Sequence, residues 1–210
     1  MTAKQPLKDL VVLTADKNAQ FAVQGILTRH QSLGIRQLTP DYYVHPGKDP
    51  GILHTAHDFL RSFSKAYAHA VVIMDREGSG QEEVARLEME ERIEAALSKS
   101  GWGDRAVAVV IDPELDVWVW SDSSHVDHEL GWSGHDPDLR SWLRSQNLLA
   151  VGAIKPDRPK EALEGALKQV RKPRSSALYQ AIAVKVSLVK CTDPAFVKLK
   201  TILQNWFSEN

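Results

Sequence analysis

Three short apolar runs stand out in the first half of the chain: Leu10 to Leu13, Ala70 to Met74 and Val107 to Ile111. Each is too short for a helix and is bounded by polar residues, so each reads as a buried strand. A further strand is predicted at Ile35 to Leu38, after Gly34 closes a helix. Between the strands the period changes. Asp16 is placed as an N-cap, and Phe21, Val23, Ile26 and Leu27 recur at helical spacing up to His30. Leu53 to Phe63 reads as a second helix. Glu82 to Leu97 reads as a charged amphipathic helix that Gly101 and Gly103 break. Pro40, Pro46, Gly47, Pro50 and Gly51 predict a loop.

Strands alternating with helices predict an α/β fold with a mainly parallel central sheet. Strands that are apolar throughout need cover on both faces. After Asp112 the texture changes. Pro113 to Trp120 is acidic and aromatic, and Ser121 to Asp138 is rich in Ser, His, Asp and Gly. From Pro137 onward the chain reads as helices near Leu139–Ser145, Lys160–Val170, Ser175–Val186 and Pro194–Phe207. The expected organisation is an α/β domain over residues 1–135 with a helical segment, 136–210, packed on it.

The 210 residues are 43% hydrophobic and 25% charged, the composition of a globular protein. A net charge of -1 gives no global field towards nucleic acid. Only a local patch such as Lys168 to Arg174 offers phosphate contacts, and a solvated helix end explains that run equally well. Cys191 is the single cysteine, so no intrachain disulfide forms. Met1 to Leu10 lacks the apolar core of a signal peptide, and no stretch approaches the roughly 20 apolar residues of a membrane span. A cytoplasmic protein without membrane contact is expected.

The candidate chemistry gathers behind the strands. Ala70 to Met74 leads into Asp75, and Glu77 follows two residues later, before Gly78 and Gly80. Ligands of open α/β sheets bind outside the carboxyl ends of the strands. Two hard carboxylates there suit Mg²⁺, which prefers oxygen ligands. The alternative is that Asp75 ends a strand and Glu77 starts a solvated turn. Glu114 follows the next strand, where Pro113 and Glu114 also make a good helix start. Asp16 follows the first strand, where it either joins the acids or caps its helix. His54-x-x-His57, His125-x-x-His128 and His135 lack a zinc pattern and read as solvated. Nothing in the sequence places a base beside Cys191, which reads as a structural thiol. There is no Walker loop and no Gly-x-Gly-x-x-Gly, which argues against an NTPase or a dinucleotide enzyme.

Three segments together carry a likeness. They are Val11-Val12-Leu13 before a helix, Asp75-x-Glu77 after an apolar strand, and Pro113-Glu114-Leu115-Asp116-Val117-Trp118 after the next. Their order resembles the Toprim (topoisomerase–primase) superfamily, especially small stand-alone Toprim-like proteins of bacterial defence loci. The closing stretch, Ser175 to Val186 and then Cys191 to Leu199, is similar to the end of such proteins. Within that group the chain looks like the small subunit of a multigene, methylation-associated phage-defence system.

The resemblance implies a Toprim-like sheet, other defence-system proteins as partners, and nuclease chemistry with Mg²⁺ held by Asp75 and Glu77. Where the family has a first-strand Glu and Gly, this chain has Thr14 and Ala15. Either Asp16 or Glu114 assists in the role of general acid or base, or that base is absent. The rival expectation is a non-catalytic interaction module on the same fold. Its interface anchors would be whichever of Trp102, Trp118, Trp120, Trp132, Trp142 and Trp206 lie outside the core.

Overall fold

Each of the three apolar runs becomes a strand: β1 (Lys8–Thr14), β3 (Tyr67–Asp75) and β4 (Ala106–Ile111). The computed structural model describes residues 7–208, so the first six residues of the N-terminal reading lie outside it. The remaining strand is not at Ile35–Leu38. Ile35 makes only an isolated antiparallel bridge to Ser208. Instead β2 is Asp41–Val44, inside the stretch read as a loop. As a half-buried edge strand it needs no continuous apolar run. The sheet order is β2-β1-β3-β4 and every pairing is parallel.

The strands alternate their side chains between two cores. Leu10, Val12, Val71, Ile73, Val107, Val109 and Ile111 face one; Val11, Leu13, Val72, Met74, Ala108 and Val110 face the other. The first face is covered by α1 (Lys17–Leu27), and the second by α3 (Lys48–Leu60) and α4 (Arg86–Leu97). A single turn, α2 (His30–Leu33), ends on Gly34 with φ 72°. Helix α3 starts earlier than its apolar spacing suggests, because Pro50 falls in the first turn, where its missing N–H costs no hydrogen bond. Helix α4 starts later than Glu82. The Glu82 Oε1 instead accepts from the amides of Gly78 (2.9 Å) and Gly80 (3.2 Å).

Beyond β4, a 3-10 turn spans Leu115–Trp118. Five helices follow: α5 (Ser124–Leu130), α6 (Leu139–Ser145), α7 (Pro159–Gln169), α8 (Ser176–Ala183) and α9 (Pro194–Phe207). Helix α5 lies in the stretch read only as polar. All five contribute to the core on the α1 face. Helix α8 lies against α1 at Gly25, where a Cβ would stand 2.8 Å from Ala183 Cβ and 2.9 Å from the Gln180 carbonyl. Among the described residues no helix is long and apolar enough to cross a membrane.

Strand β4 closes one edge of the sheet, where outward amides would be left unpaired. Side chains of α4 take them. Glu94 Oε1 accepts from the Ala108 amide and Glu90 Oε1 from the Val110 amide, each at 3.0 Å. Lys198 of α9 bridges both carboxylates, at 2.7 Å to Glu94 and 3.2 Å to Glu90, and Arg86 adds a second cation on Glu90 at 2.6 Å. Glu90→Ala therefore leaves a buried amide orphaned, which costs about 1–3 kcal/mol. For a domain of this size each kcal/mol lowers Tm by roughly 2–4 °C. Thermal unfolding followed by circular dichroism checks this, and Glu90→Gln, which keeps an acceptor oxygen, should lose less. An alanine variant as stable as the parent would show that the amide finds another partner.

Candidate functional site at the carboxyl edge of the sheet

The topology marks a place before any residue is considered. From β1 the chain crosses by α1 on one face to β2; from β3 it crosses by α4 on the other face to β4. Connections that leave neighbouring strands on opposite faces open a crevice between them at their carboxyl ends. Here that point lies between the ends of β1 and β3, at Thr14 and Asp75.

Thr14 is fully buried, and its hydroxyl donates to the carbonyls of Asp16 (2.9 Å) and Tyr43 (3.4 Å). Asp16 is exposed, and its Oδ1 accepts from the Ala19 amide at 2.8 Å, which caps α1. Asp75 is half-buried. Its Oδ1 accepts from the Leu115 amide at 2.8 Å, and its own amide donates to Asp49 Oδ1, also at 2.8 Å. Glu77 is exposed, with its amide on the Pro113 carbonyl at 2.9 Å.

Glu114 is buried. It does not open an α-helix; it precedes the 3-10 turn and makes no side-chain cap to it. Its carboxylate reaches α7 instead, accepting from the Lys160 amide at 3.2 Å and facing Lys160 Nζ at 3.5 Å. Asp116, also buried, takes Arg174 Nη2 on both oxygens (2.9 and 3.1 Å) and the Tyr179 hydroxyl at 2.7 Å.

Asp49 and Asp116 were not singled out by the sequence reading. Asp49 stands among Pro46, Gly47, Pro50 and Gly51, which read as punctuation, and only the early start of α3 brings it to Asp75. Asp116 was legible as an acid two residues beyond Glu114, but its partners Arg174 and Tyr179 are remote in sequence.

These acids feel one another. Burial raises the Asp75 carboxyl well above its ordinary value, and Asp49, Asp16 and Asp116 raise it further. Asp49 is raised by burial and by Asp16, against the Asp75 amide and Lys160. Glu114 is raised by burial, then by Asp116 and Glu77, with Lys160 opposing. Asp116 is raised by burial against the pull of Arg174 and Tyr179. Glu114 and Asp116 each have a cation in contact, whereas Asp49 and Asp75 have no ion pair among the described residues. Among the described residues, the Asp49 carboxylate thus rests on the Asp75 amide at the crevice with no positive side chain bonded to either acid.

No three or more His, Cys, Asp or Glu side chains among the described residues are placed to hold a metal ion. His54 and His57 lie on α3, and His125 and His128 on α5. An all-protein cage is therefore not what this crevice offers. Asp49 and Asp75 fit the other arrangement known for Mg²⁺, in which one or two carboxylates serve and waters or phosphates complete the shell. Each has Oδ1 committed to an amide, that of Asp75 for Asp49 and that of Leu115 for Asp75.

Other singled-out residues turn inward. Trp102, Trp120 and Trp132 are buried. Trp118, Trp142 and Trp206 are half-buried against Phe196, Trp132 and His69. None stands out as an exposed anchor. In the basic stretch, Arg174 is held by Asp116 and Glu164, and Lys172 donates to the Glu129 carbonyl. Lys168 and Arg171 are exposed.

The raised Asp75 has a consequence for stability. The folded protein holds this proton more tightly than the unfolded chain does, so the ionised carboxylate opposes folding. That penalty is absent below the unfolded pKa of about 3.9 and grows as pH rises towards the folded value. Asp75→Asn keeps an oxygen for the Leu115 amide and removes the charge. In metal-free buffer the variant should melt above the parent at pH 8, with the difference closing as pH falls towards 4. A variant less stable than the parent at pH 8 would refute the electrostatic account.

No protein-family model matches this chain, and neither a curated protein nor a solved structure is similar enough to match it.

Proposed function

We propose that this chain is a subunit of a bacterial anti-phage defence assembly, built on a Toprim-like fold, whose crevice takes one hydrated Mg²⁺ for work on a nucleic-acid phosphodiester. The observation that carries the reading is the pair Asp49 and Asp75, brought together at the topological switch point with no cation bonded to either. Carboxyl groups raised by burial and by one another at the end of a sheet are candidates for a functional site. The order of motifs along the sequence adds the family and the defence setting.

Mg²⁺ bound there would neutralise the crowded carboxylates and polarise a phosphoryl oxygen. Asp49 and Asp75 are the residues to hold it. Glu77, expected with Asp75 as a metal ligand, is exposed and adds negative field at Glu114. Glu114, buried beside Lys160, is the acid assigned to proton transfer, because burial favours its neutral form. Asp16 serves as a helix cap and adds negative field.

A second reading, a non-catalytic interaction module, is favoured by Thr14. Its hydroxyl is spent inside the fold, so the first strand presents no acid where the Toprim resemblance calls for one.

Calorimetric titration with Mg²⁺ and Mn²⁺ separates the two. The first reading expects binding in the parent that disappears in Asp75→Ala and in Asp49→Ala, with both variants folded by circular dichroism. A parent that takes up neither metal at millimolar concentration, with or without a nucleic acid present, would overturn it in favour of the interaction module.

A further inference from the structure

A cavity of about 320 Å³ lies on the α1 face of the sheet, between α1, α8, the 115–123 segment and the 187–192 loop. Protein interiors rarely leave voids much larger than a water molecule. This volume lies instead in the range of small-molecule sites. Its walls are apolar: Ile26, Trp118, Ile182, Val186, Leu188 and Phe196 line it. Two of its lining residues reach solvent, Ile154, which is 60% exposed, and Lys190.

Three charged residues line the cavity, Lys155, Lys190 and Asp122, so cations outnumber anions. Lys155 is half-buried, and its ion pair to Asp193 Oδ2 is long at 3.8 Å. The other oxygen of Asp193, Oδ1, accepts from Trp118 Nε1 (2.9 Å) and from the amides of Ala195 (3.1 Å) and Phe196 (3.2 Å), so one long contact is all that Asp193 takes from Lys155. The Lys155 ammonium therefore keeps donors for another acceptor. The Ser121 hydroxyl, also on the lining, is buried without a hydrogen-bond partner among the described residues.

We propose that this cavity is a binding site for a free small amphipathic anion, an apolar body in the pocket with a carboxylate or sulfonate head on Lys155 and Lys190. It is separate from the carboxylate crevice and does not rest on the reading of that crevice. Cys191 is half-buried on the lining, with its thiol pushed up by burial, so it serves as a slow reporter of occupancy.

The test uses 8-anilinonaphthalene-1-sulfonate, a fluorescent apolar sulfonate, titrated into the full chain. One saturable site per chain is expected, together with slower alkylation of Cys191 by iodoacetamide when the dye is bound. Losing a hydrogen bond to a charged group is worth about 1.5–3 kcal/mol. The double variant Lys155→Gln/Lys190→Gln should therefore weaken the dye by about tenfold or more while leaving an uncharged analogue, N-phenyl-1-naphthylamine, unaffected. Ile182→Trp fills the cavity and should abolish binding of both dyes.

Decanoate, a free apolar carboxylate, should displace the sulfonate. Dye binding that is indifferent to both lysines, or Cys191 alkylation unchanged by saturating dye, would overturn the proposal, and neither result depends on the cavity-filling variant folding. Displacement by phosphatidylglycerol vesicles with decanoate inert would overturn a free molecule as the occupant.

Discussion

Buried backbone amides must find acceptors, and in this protein carboxylates repeatedly provide them. The Asp75 amide goes to Asp49, the Leu115 amide to Asp75 and the Lys160 amide to Glu114. At the opposite face of the same constraint, Glu90 and Glu94 accept the outward amides of β4. Asp16 and Asp193 cap α1 and α9 by the same bond. The effect is to fasten pieces of chain far apart in sequence. The helices beyond β4 share the α1-side core, and the acids from Asp75 to Asp116 add bonds from the end of the sheet to the 115–118 turn, α7 and α8.

A fastener made of carboxylates brings charge with it, and buried charge is costly unless paired. At the β4 edge Lys198 and Arg86 answer Glu90 and Glu94. Lys160 answers Glu114, and Arg174 answers Asp116. The pattern fails at Asp49 and Asp75, where the chain supplies amides but no bonded cation. Structure alone would be served by Asn at either position, since an amide oxygen accepts the same bond. Retaining two acids at the point where the sheet opens is what separates this pair from the rest of the network. Thr14 argues in the other direction, because the end of the first strand carries a hydroxyl, bonded within the fold, and no acid.

How much of this was readable in the sequence depends on how local the cause is. The strands β1, β3 and β4 are read from their apolar runs because both faces of the sheet are covered. The strand β2 is not, because Asp41, Tyr42, Tyr43 and Val44 lie at an edge, each half-buried, and need no such run. Ile35 is apolar for a different reason, since it is buried in the core on the α1 face. At the site, Asp16, Asp75, Glu77 and Glu114 were legible as acids that follow strands. The cap that Asp16 makes was legible too, because its partner Ala19 is local; the duties of the other three were not, since their partners are Leu115, Pro113 and Lys160. Asp49 was hidden because proline and glycine around it suggest a loop, and only the packed position of α3 shows it beside Asp75.

The turn Leu115–Trp118 joins the two places where chemistry is possible. The Leu115 amide binds Asp75 while its side chain lines the apolar cavity. At the other end of the turn, the Trp118 ring lines the cavity and its indole N–H holds Asp193, which faces Lys155. A molecule in the cavity would touch the same four-residue element that positions the crevice carboxylate. Proximity does not by itself make two sites communicate, since coupling needs an element with two arrangements whose balance each ligand biases. What the structure fixes is adjacency: one short turn carries the Leu115 amide to Asp75 and the Trp118 indole to Asp193.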